Sequence, residues 1–387
     1  MDLYTQAYGK TKEYFESKNC TYTAYEIAHQ PIMWRALAVY MKEVVPKITA
    51  FMNSIPDLKN IRVILTGAGS SGYVGRAVGG FVSKATGIRC EGIHTTDVVS
   101  APETYLYADV PTLLVSFARS GNSPESVGTV EYARKIVKNL YELAIVCDGN
   151  SRLSVATREA KNGLLLVMPE GTNDKSFAMT SSVSTMVLAG VAAFMYGEIP
   201  SLADDYCLLA DHVEKIIPEY AKAATTCAAW GFERAWYLGS GALTALSHEG
   251  SLKMMELTNG AVVSGHSNAP EFRHGPKTVI NPKTLTVHMV SDDVFTAKYD
   301  MDLVNEMYGQ RDGNKMVVLH DEATKVQADL AIPYKSFKYE VGAGLQGLVF
   351  AQMLSMYTSL QLGIPTDNPS PSGLVNRVVQ GVTVYPY

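Results

Sequence analysis

Glu249, Lys253 and Glu256 lie in the stretch Glu249–Gly260, and His274 follows in Pro270–Pro276 within a Gly-Pro turn. Positions spaced i, i+4, i+7 share one face of a helix, so two carboxylates and one ammonium would form a charged stripe. Leu252, Met255 and Leu257 would give the same helix an apolar side for burial. A charged stripe beside a buried side, followed by an imidazole in a tight turn, has the groups a proton-transfer site needs. The same residues also fit a solvated ion pair and a histidine satisfying a turn carbonyl. The rest of the chain has to decide.

Three loops are candidates to hold a substrate. The first, Gly67-Ala68-Gly69-Ser70-Ser71-Gly72, is a formal G-x-G-x-x-G after a strand and before a helix, with Glu91 about twenty residues on. That pattern fits a nicotinamide dinucleotide, but its backbone N–H groups would equally cradle one phosphate. The second, Ser116–Glu125, puts Ser120, Asn122 and Ser123 at a helix N-terminus. Small hydroxyls around a glycine make a compact phosphate pocket, which a dinucleotide does not need. The same residue types also serve as ordinary helix caps. The third, Pro169–Ser182, ends a strand, and Ser176 or its neighbours could close the same pocket.

These loops need a scaffold of strands and helices. Residues 1–55 read as helical, with one helix entered through Gln30-Pro31, where proline suits a first turn. From about residue 60, short apolar runs alternate with helical segments, the pattern of a parallel α/β sheet. The expected strands are 62–65, 90–94, 112–117, 142–147 and 163–167, closed by a small-residue helix over about 180–196. Residues 199–205 read as a linker into a new amphipathic helix. Strands are then expected at 235–238, 261–264, 284–290, 315–319 and 330–333, closed by a helix over about 344–362. The same starting turn, strand number and closing helix occurring twice imply a duplicated domain. The expected organisation is a helical segment at 1–55, one α/β domain at 56–200, a second at 206–365 and a tail at 366–387. Val-Thr-Val at 382–384 suggests a last edge strand, and the tail is too apolar to be free.

Composition narrows the class. The chain has 387 residues, 47% apolar and 18% charged, with net charge −5. That argues against disorder, gives no electrostatic footprint for nucleic acid and allows two domains with a substantial core. Five scattered cysteines without C-x-x-C spacing point to reduced thiols in the cytoplasm, not to a disulfide frame or a zinc site. The eight histidines show no ligand spacing, so no metal is expected. The longest apolar run, near 186–196, is too short to span a bilayer.

Taken together, the loops and the charged stretch resemble the sugar-isomerase (SIS) domain family. Its nested serine loop, S-x-S-G-x-[ST], stands here as Ala118–Ser123, with Ala118 replacing the first serine. The chain is similar to the isomerase half of glucosamine-6-phosphate synthase, whose L-K-x-x-E and H-G-P patterns match Leu252–Glu256 and His274–Pro276. It most resembles the bacterial galactosamine-6-phosphate deaminase/isomerases, also labelled tagatose-6-phosphate ketose/aldose isomerases, through Glu26–Pro31, Ser116–Glu125, Phe177–Ser182 and 376–384.

The resemblance implies two tandem SIS domains, each a five-stranded parallel sheet flanked by helices in three α/β/α layers, with the tail over the active site. It implies a cytoplasmic homodimer or higher homo-oligomer with shared active sites, acting on a small sugar phosphate. No cofactor, metal, nucleic acid or membrane is implied. Gly69, Ser70, Ser71, Ser120, Asn122, Ser123 and Ser176 would bind the phosphate or sugar, with Gln380. Glu256 would carry the proton between C2 and C1, Lys253 would support it, and His274, reaching into a neighbouring subunit, would open the ring. Two departures from the synthase matter. Met1 is followed by Asp2, so no N-terminal cysteine is expected to take ammonia from glutamine. Gln380 stands where the synthase has its Schiff-base lysine, so the synthetic direction loses its amine. The expected reaction is conversion of D-galactosamine 6-phosphate to D-tagatose 6-phosphate and ammonia. The alternatives are aldose–ketose isomerisation of galactose or tagatose 6-phosphate, and deamination of glucosamine 6-phosphate.

Overall fold

Runs of Val, Ile and Leu bounded by glycine-bearing turns form the strands of two sheets. The computed structural model describes residues 2–379 and 381–387. The first sheet contains β1 (Arg62–Thr66), β2 (Cys90–Gly92), β3 (Thr112–Ala118), β4 (Leu140–Val146) and β5 (Gly163–Val167), in the order β2-β1-β3-β4-β5. The second contains β6 (Arg234–Gly239), β7 (Val263–Ser267), β8 (Thr284–Met289), β9 (Lys315–Asp321) and β10 (Leu330–Tyr334), in the order β10-β9-β8-β6-β7. Read from the other edge, the second order is the first one repeated. Every pairing is parallel. The expected architecture of two five-stranded parallel sheets flanked by helices is the one observed.

The chain divides into two compact units. One holds the second sheet with residues up to Pro31, Lys175–Thr180 and Leu208–Leu374; the other holds the first sheet, with Ile32–Asp174, Ser181–Cys207 and Val375–Tyr387. In the first-sheet unit every residue of β3 is buried, as expected for a central strand covered on both faces. The helix Ser181–Phe194 is buried along its whole length despite four hydroxyl side chains. Its N-terminus is held by Asp174, whose carboxylate accepts from the backbone N–H and hydroxyl of both Ser181 and Ser182. Ser184 accepts a hydrogen bond from the Trp34 indole at 3.0 Å. In the second-sheet unit the corresponding helix, Val341–Gln361, is also buried nearly all round. That is the signature of a core helix. Among the described residues no single helix is long and apolar enough to cross a membrane.

Besides β7, which begins at Val263 and not at residue 261, two local expectations fail. Residues 199–205 are not a linker but the opening turns of the helix Ile199–Ala228. Pro200 sits where a helix needs no N–H, and Ile199 and Leu202 are fully buried. Residues 381–387 form no strand. The tail is tied down by side chains instead. Tyr132 donates to the Tyr385 carbonyl, Lys135 donates to the Tyr387 carbonyl at 3.2 Å, and the Tyr387 hydroxyl donates to Glu103 at 2.7 Å. Val384 packs on the cluster around Val130 and Ala133. These contacts hold the tail without a sheet edge, so the expectation that it is not free holds.

The helix Ser70–Thr86 lies close against β1. A Cβ at Gly75 would come within 2.9 Å of the Leu65 carbonyl oxygen, which is backbone and cannot turn aside. Gly75→Ala is therefore expected to push this helix off the strand and destabilise the protein by about 1–3 kcal/mol. Urea denaturation measures it; an unchanged midpoint would mean that the helix is not held there by close packing.

Candidate active site

In the first-sheet unit, the loops after β1 and β3 leave adjacent strands at their carboxyl ends, with Thr66 paired opposite Ser116. In open α/β sheets this switch point is where ligands bind. Gly69 has φ of +54° and Gly121 has φ of +62°, a left-handed backbone that favours glycine. A Cβ at Gly121 would also fall 2.2 Å from the Ser151 hydroxyl. Ser70 and Ser71 are nearly buried at the head of their helix. Ser123 caps the helix Pro124–Ile136, accepting from the Ser126 N–H at 3.3 Å and donating to its hydroxyl at 2.8 Å. Asn122 accepts from the Arg152 N–H at 3.0 Å, and Ser120 Oγ accepts from the Asn122 N–H at 3.4 Å. Capping chemistry is thus present in the serine loop. The two helix N-termini still favour an anion there, by up to about 2 kcal/mol in partly buried geometry.

Composition gave no hint of a second feature of this region. Thr66 Oγ1, Thr95 Oγ1 and Glu125 Oε2 are buried with no hydrogen-bond partner among the described residues. They end β1, begin the helix Thr95–Ser100 after β2, and begin the helix after β3. Each unmet group costs about 1–3 kcal/mol, and all three belong to the carboxyl ends of neighbouring strands. Polar groups left unmet there are what a polar ligand or bound water would satisfy. Arg119, within the serine loop, donates to the Arg377 carbonyl at 2.8 Å, so the C-terminal tail reaches this loop.

Glu91, the acid a nicotinamide site would require, is engaged otherwise. Its two oxygens accept from Arg62 at 2.8 and 2.9 Å, and this bond holds its carboxyl below the usual range. It pairs alongside Ile64 in the middle of the strand, not at the strand end where a ribose would lie.

In the second-sheet unit, Glu249, Lys253 and Glu256 lie on the helix Leu243–Leu257 that follows β6. Lys253 Nζ is 3.2 Å from Glu249 and contacts Glu256 more closely. The three residues do share one face, and that face points inward. Lys253 and Glu249 are fully buried, while the Glu256 side chain keeps 26% of its surface exposed. The apolar partners on the inward face are Leu246, Met254 and Leu257; Met255 is exposed and Leu252 half-buried. The expected apolar side of Leu252, Met255 and Leu257 is therefore corrected, since of these only Leu257 is fully buried. Gly250 allows this packing, since a Cβ there would lie 3.0 Å from the Tyr237 ring and 3.1 Å from Ala351. Burial pulls the Lys253 ammonium down, but the charges of Glu249 and Glu256 outweigh it, so its pKa stands above the ordinary lysine value. Lys253 is a fixed cation. Glu256 is the one member of the trio open to solvent.

The remaining expected residues are dispersed. His274 is exposed beyond the capped turn Ala269–Phe272. Ser176 is fully buried with the second-sheet unit; its hydroxyl donates to the Ala178 carbonyl at 3.0 Å and its N–H to Glu26 at 3.2 Å. Gln380 lies outside the described residues. His248 stacks on His266 at 3.5 Å beside Glu249, a pairing that the sequence spacing did not reveal. Among the described residues no group of three or more His, Cys, Asp or Glu is arranged to hold a metal ion.

The second sheet has its own switch point, between β6 and β8, and it is filled from within. Asp300 accepts from the Ser240 hydroxyl after β6 and from the Ser291 N–H after β8, the latter at 3.0 Å. Ser291 in turn donates to Glu340. A carboxylate occupies the position where the first sheet offers its serine loops. Burial raises Asp300 to about 6, against the lowering effect of the Ser240 and Ser291 bonds.

No family model matches the chain. The D-galactosamine-6-phosphate deaminase AgaS of Shewanella sp. (strain ANA-3) is 37% identical over 369 residues, covering 95% of this chain and 92% of the relative. A crystal structure of tagatose-6-phosphate ketose/aldose isomerase from Escherichia coli superposes with a TM-score of 0.87 at 32% identity, covering 95% of this chain and 97% of that one. A Clostridium novyi NT structure, described as a candidate tagatose-6-phosphate ketose/aldose isomerase, superposes over the whole of both chains with a TM-score of 0.94 at 35% identity.

Two measurements check these electrostatics. Lys253→Met leaves Glu249 buried without its cation and is expected to cost about 3–5 kcal/mol in urea denaturation. Adding Glu249→Leu should recover part of that loss; a single variant as stable as the parent would contradict the buried pair. For Asp300, the folded carboxyl takes its proton at about 6 and the unfolded one at the ordinary 3.8. The native state therefore binds more protons between these values, and stability falls as pH rises through that window, by up to about 3 kcal/mol. Asp300→Asn removes this slope, so its stability relative to the parent should improve from about pH 3.5 to about pH 7. A difference that does not change with pH would refute the raised value.

Proposed function

This chain belongs to the AgaS family of SIS-domain proteins, and from that premise we propose that it is a deaminating isomerase of amino-sugar phosphates. It converts D-galactosamine 6-phosphate and water to D-tagatose 6-phosphate and ammonia. The observation that carries the chemistry is Glu256, the one partly exposed carboxylate of an otherwise buried charge cluster.

The roles follow from each group's chemistry. The phosphate docks on Ser70 and Ser71 with Ser120, Asn122 and Ser123, which fixes the far end of the sugar and makes the proton transfer a positioned, near-unimolecular step. Gly69 lets the backbone approach the phosphate. Gln380 takes a sugar contact. His274 relays the proton between O5 and O1 when the ring opens, and it serves the site of a second copy of the chain, so the active form is at least a dimer. Glu256 removes the C2 proton of the open-chain aldehyde, and the electron pair passes through C1 to its oxygen. Lys253, held as an ammonium, keeps that carboxylate in place and offsets the developing negative charge. The proton returns at C1 as the nitrogen lone pair forms the C2=N bond, and one N–H proton passes to O1, leaving a 1-hydroxyl and a C2 imine formed from the sugar's own nitrogen. Water adds to C2 and ammonia leaves. No protein amine is needed. Lys253 would make a poor nucleophile in any case, because two carboxylates keep it protonated.

A second reading is favoured by the Escherichia coli structure, whose name is that of a tagatose-6-phosphate ketose/aldose isomerase. The same proton transfer on a substrate with a C2 hydroxyl would interconvert galactose and tagatose 6-phosphates without releasing ammonia.

Ammonia release from galactosamine 6-phosphate and glucosamine 6-phosphate separates the readings, with the galacto substrate expected to turn over faster. Ketose formation from galactose 6-phosphate with no ammonia from either amino sugar would favour the second. Glu256→Gln should lose about 10²–10⁴-fold in turnover while still binding sugar phosphate. Near-parental turnover in that variant would remove Glu256 from the mechanism.

A further inference from the structure

A second cleft, of about 380 Å³, lies within the second-sheet unit and shares no residue with the groups assigned above. Its walls come from the first helices of the chain, the end of Ile199–Ala228 and the end of Val341–Gln361. Lys10, Lys18 and Lys222 line it, together with the rings of Tyr8, Tyr14 and Tyr357, and no carboxylate does. None of the three lysines makes an ion pair among the described residues, although Lys10 lies over the Tyr14 ring at 5.3 Å. The size is that of a small-molecule site.

The plain account of these lysines is that they neutralise the two helix C-termini that end there. Each terminus contributes about half a negative charge, so both together offset about one cation. Three lysines leave a surplus of roughly two positive charges facing a wall of aromatic rings. Tyr8 and Tyr357 are fixed edge to face, with centroids 6.3 Å apart, and the Tyr8 hydroxyl is tied to the Ala24 carbonyl at 2.7 Å. The aromatic wall is thus preorganised, while Tyr14 stays partly exposed and available for stacking.

We propose that this cleft binds a nucleotide-like anion, with two or more negative charges held by Lys10, Lys18 and Lys222 and a planar ring lying on Tyr14. Isothermal titration calorimetry on the full chain, with ADP, pyrophosphate and adenosine as probes, tests it. ADP is expected to bind once per chain, more tightly than pyrophosphate or adenosine, and more weakly as salt is raised. The double variant K18E/K222E should weaken ADP by at least about tenfold with an unchanged thermal midpoint, because neither lysine holds a partner. Tyr14→Ala should weaken ADP while sparing pyrophosphate. If the charge reversals disturb folding, K18Q/K222Q gives the same comparison. No ADP binding at millimolar concentration, binding indifferent to the lysine variants, or pyrophosphate binding as tightly as ADP would each overturn the proposal. These readouts need no turnover, so they stand or fall apart from the deaminase assignment.

Discussion

A lysine buried between two glutamates, in the middle of a helix, is the constraint that the second half of this protein is built around. An ammonium and a carboxylate removed from water cost several kcal/mol each unless they meet in good geometry. Lys253 meets Glu249 at 3.2 Å and Glu256 more closely, and the helix carries them in on its inward face between β6 and the core helix Val341–Gln361. Gly250 leaves room for that approach, and Leu246, Met254 and Leu257 supply the apolar burial around it. The outcome is one carboxylate, Glu256, held by a fixed cation and partly open to solvent. A base in that position is oriented before any substrate arrives.

The duplication explains why only one half needs such a device. Both sheets have the same strand order, and each has a switch point where two loops part. In the first, the loops carry serines and left-handed glycines, and three buried polar atoms around them are left unmet among the described residues. In the second, Asp300 fills the crevice and satisfies Ser240 and the Ser291 backbone. A phosphate would meet a carboxylate there. One crevice keeps unmet polar atoms among the described residues and the other is closed from within by Asp300.

Much of this was legible in the residues. Nine of the ten strands fall where short apolar runs bounded by turns place them, β7 begins two residues later than expected, and the repeated starting turn exposed the duplication. The failures have physical causes. Residues 199–205 carry a proline and two aspartates, which look like a linker, yet proline at a helix start forfeits no hydrogen bond and Ile199 and Leu202 anchor the turn. Val-Thr-Val in the tail has strand composition, but Tyr132, Lys135 and Glu103 satisfy the segment one group at a time. On the charged helix the shared face was legible, but the apolar side was only partly so: Leu257 is buried, Leu252 is half-buried, and Met254 takes the buried place expected for Met255. Two of its three charges, Glu249 and Lys253, are in the core, which periodicity alone does not reveal. Asp300 and the His248–His266 stack were invisible, since they join residues 60 and 18 positions apart with no local signal.

The central claim is that Glu256 moves the C2 proton of a galactosamine 6-phosphate and that ammonia leaves as a consequence. Turnover in deuterium oxide, followed by nuclear magnetic resonance of the sugar and by assay of the ammonia, tests it most directly. The account requires tagatose 6-phosphate and ammonia to appear together, with either the C2 hydrogen or a solvent deuteron exchanged onto the base delivered to C1, and both products to be lost in the folded Glu256→Gln variant. Recovery of the sugar phosphate from the parent protein with its C2 proton unexchanged and no ammonia formed would contradict it.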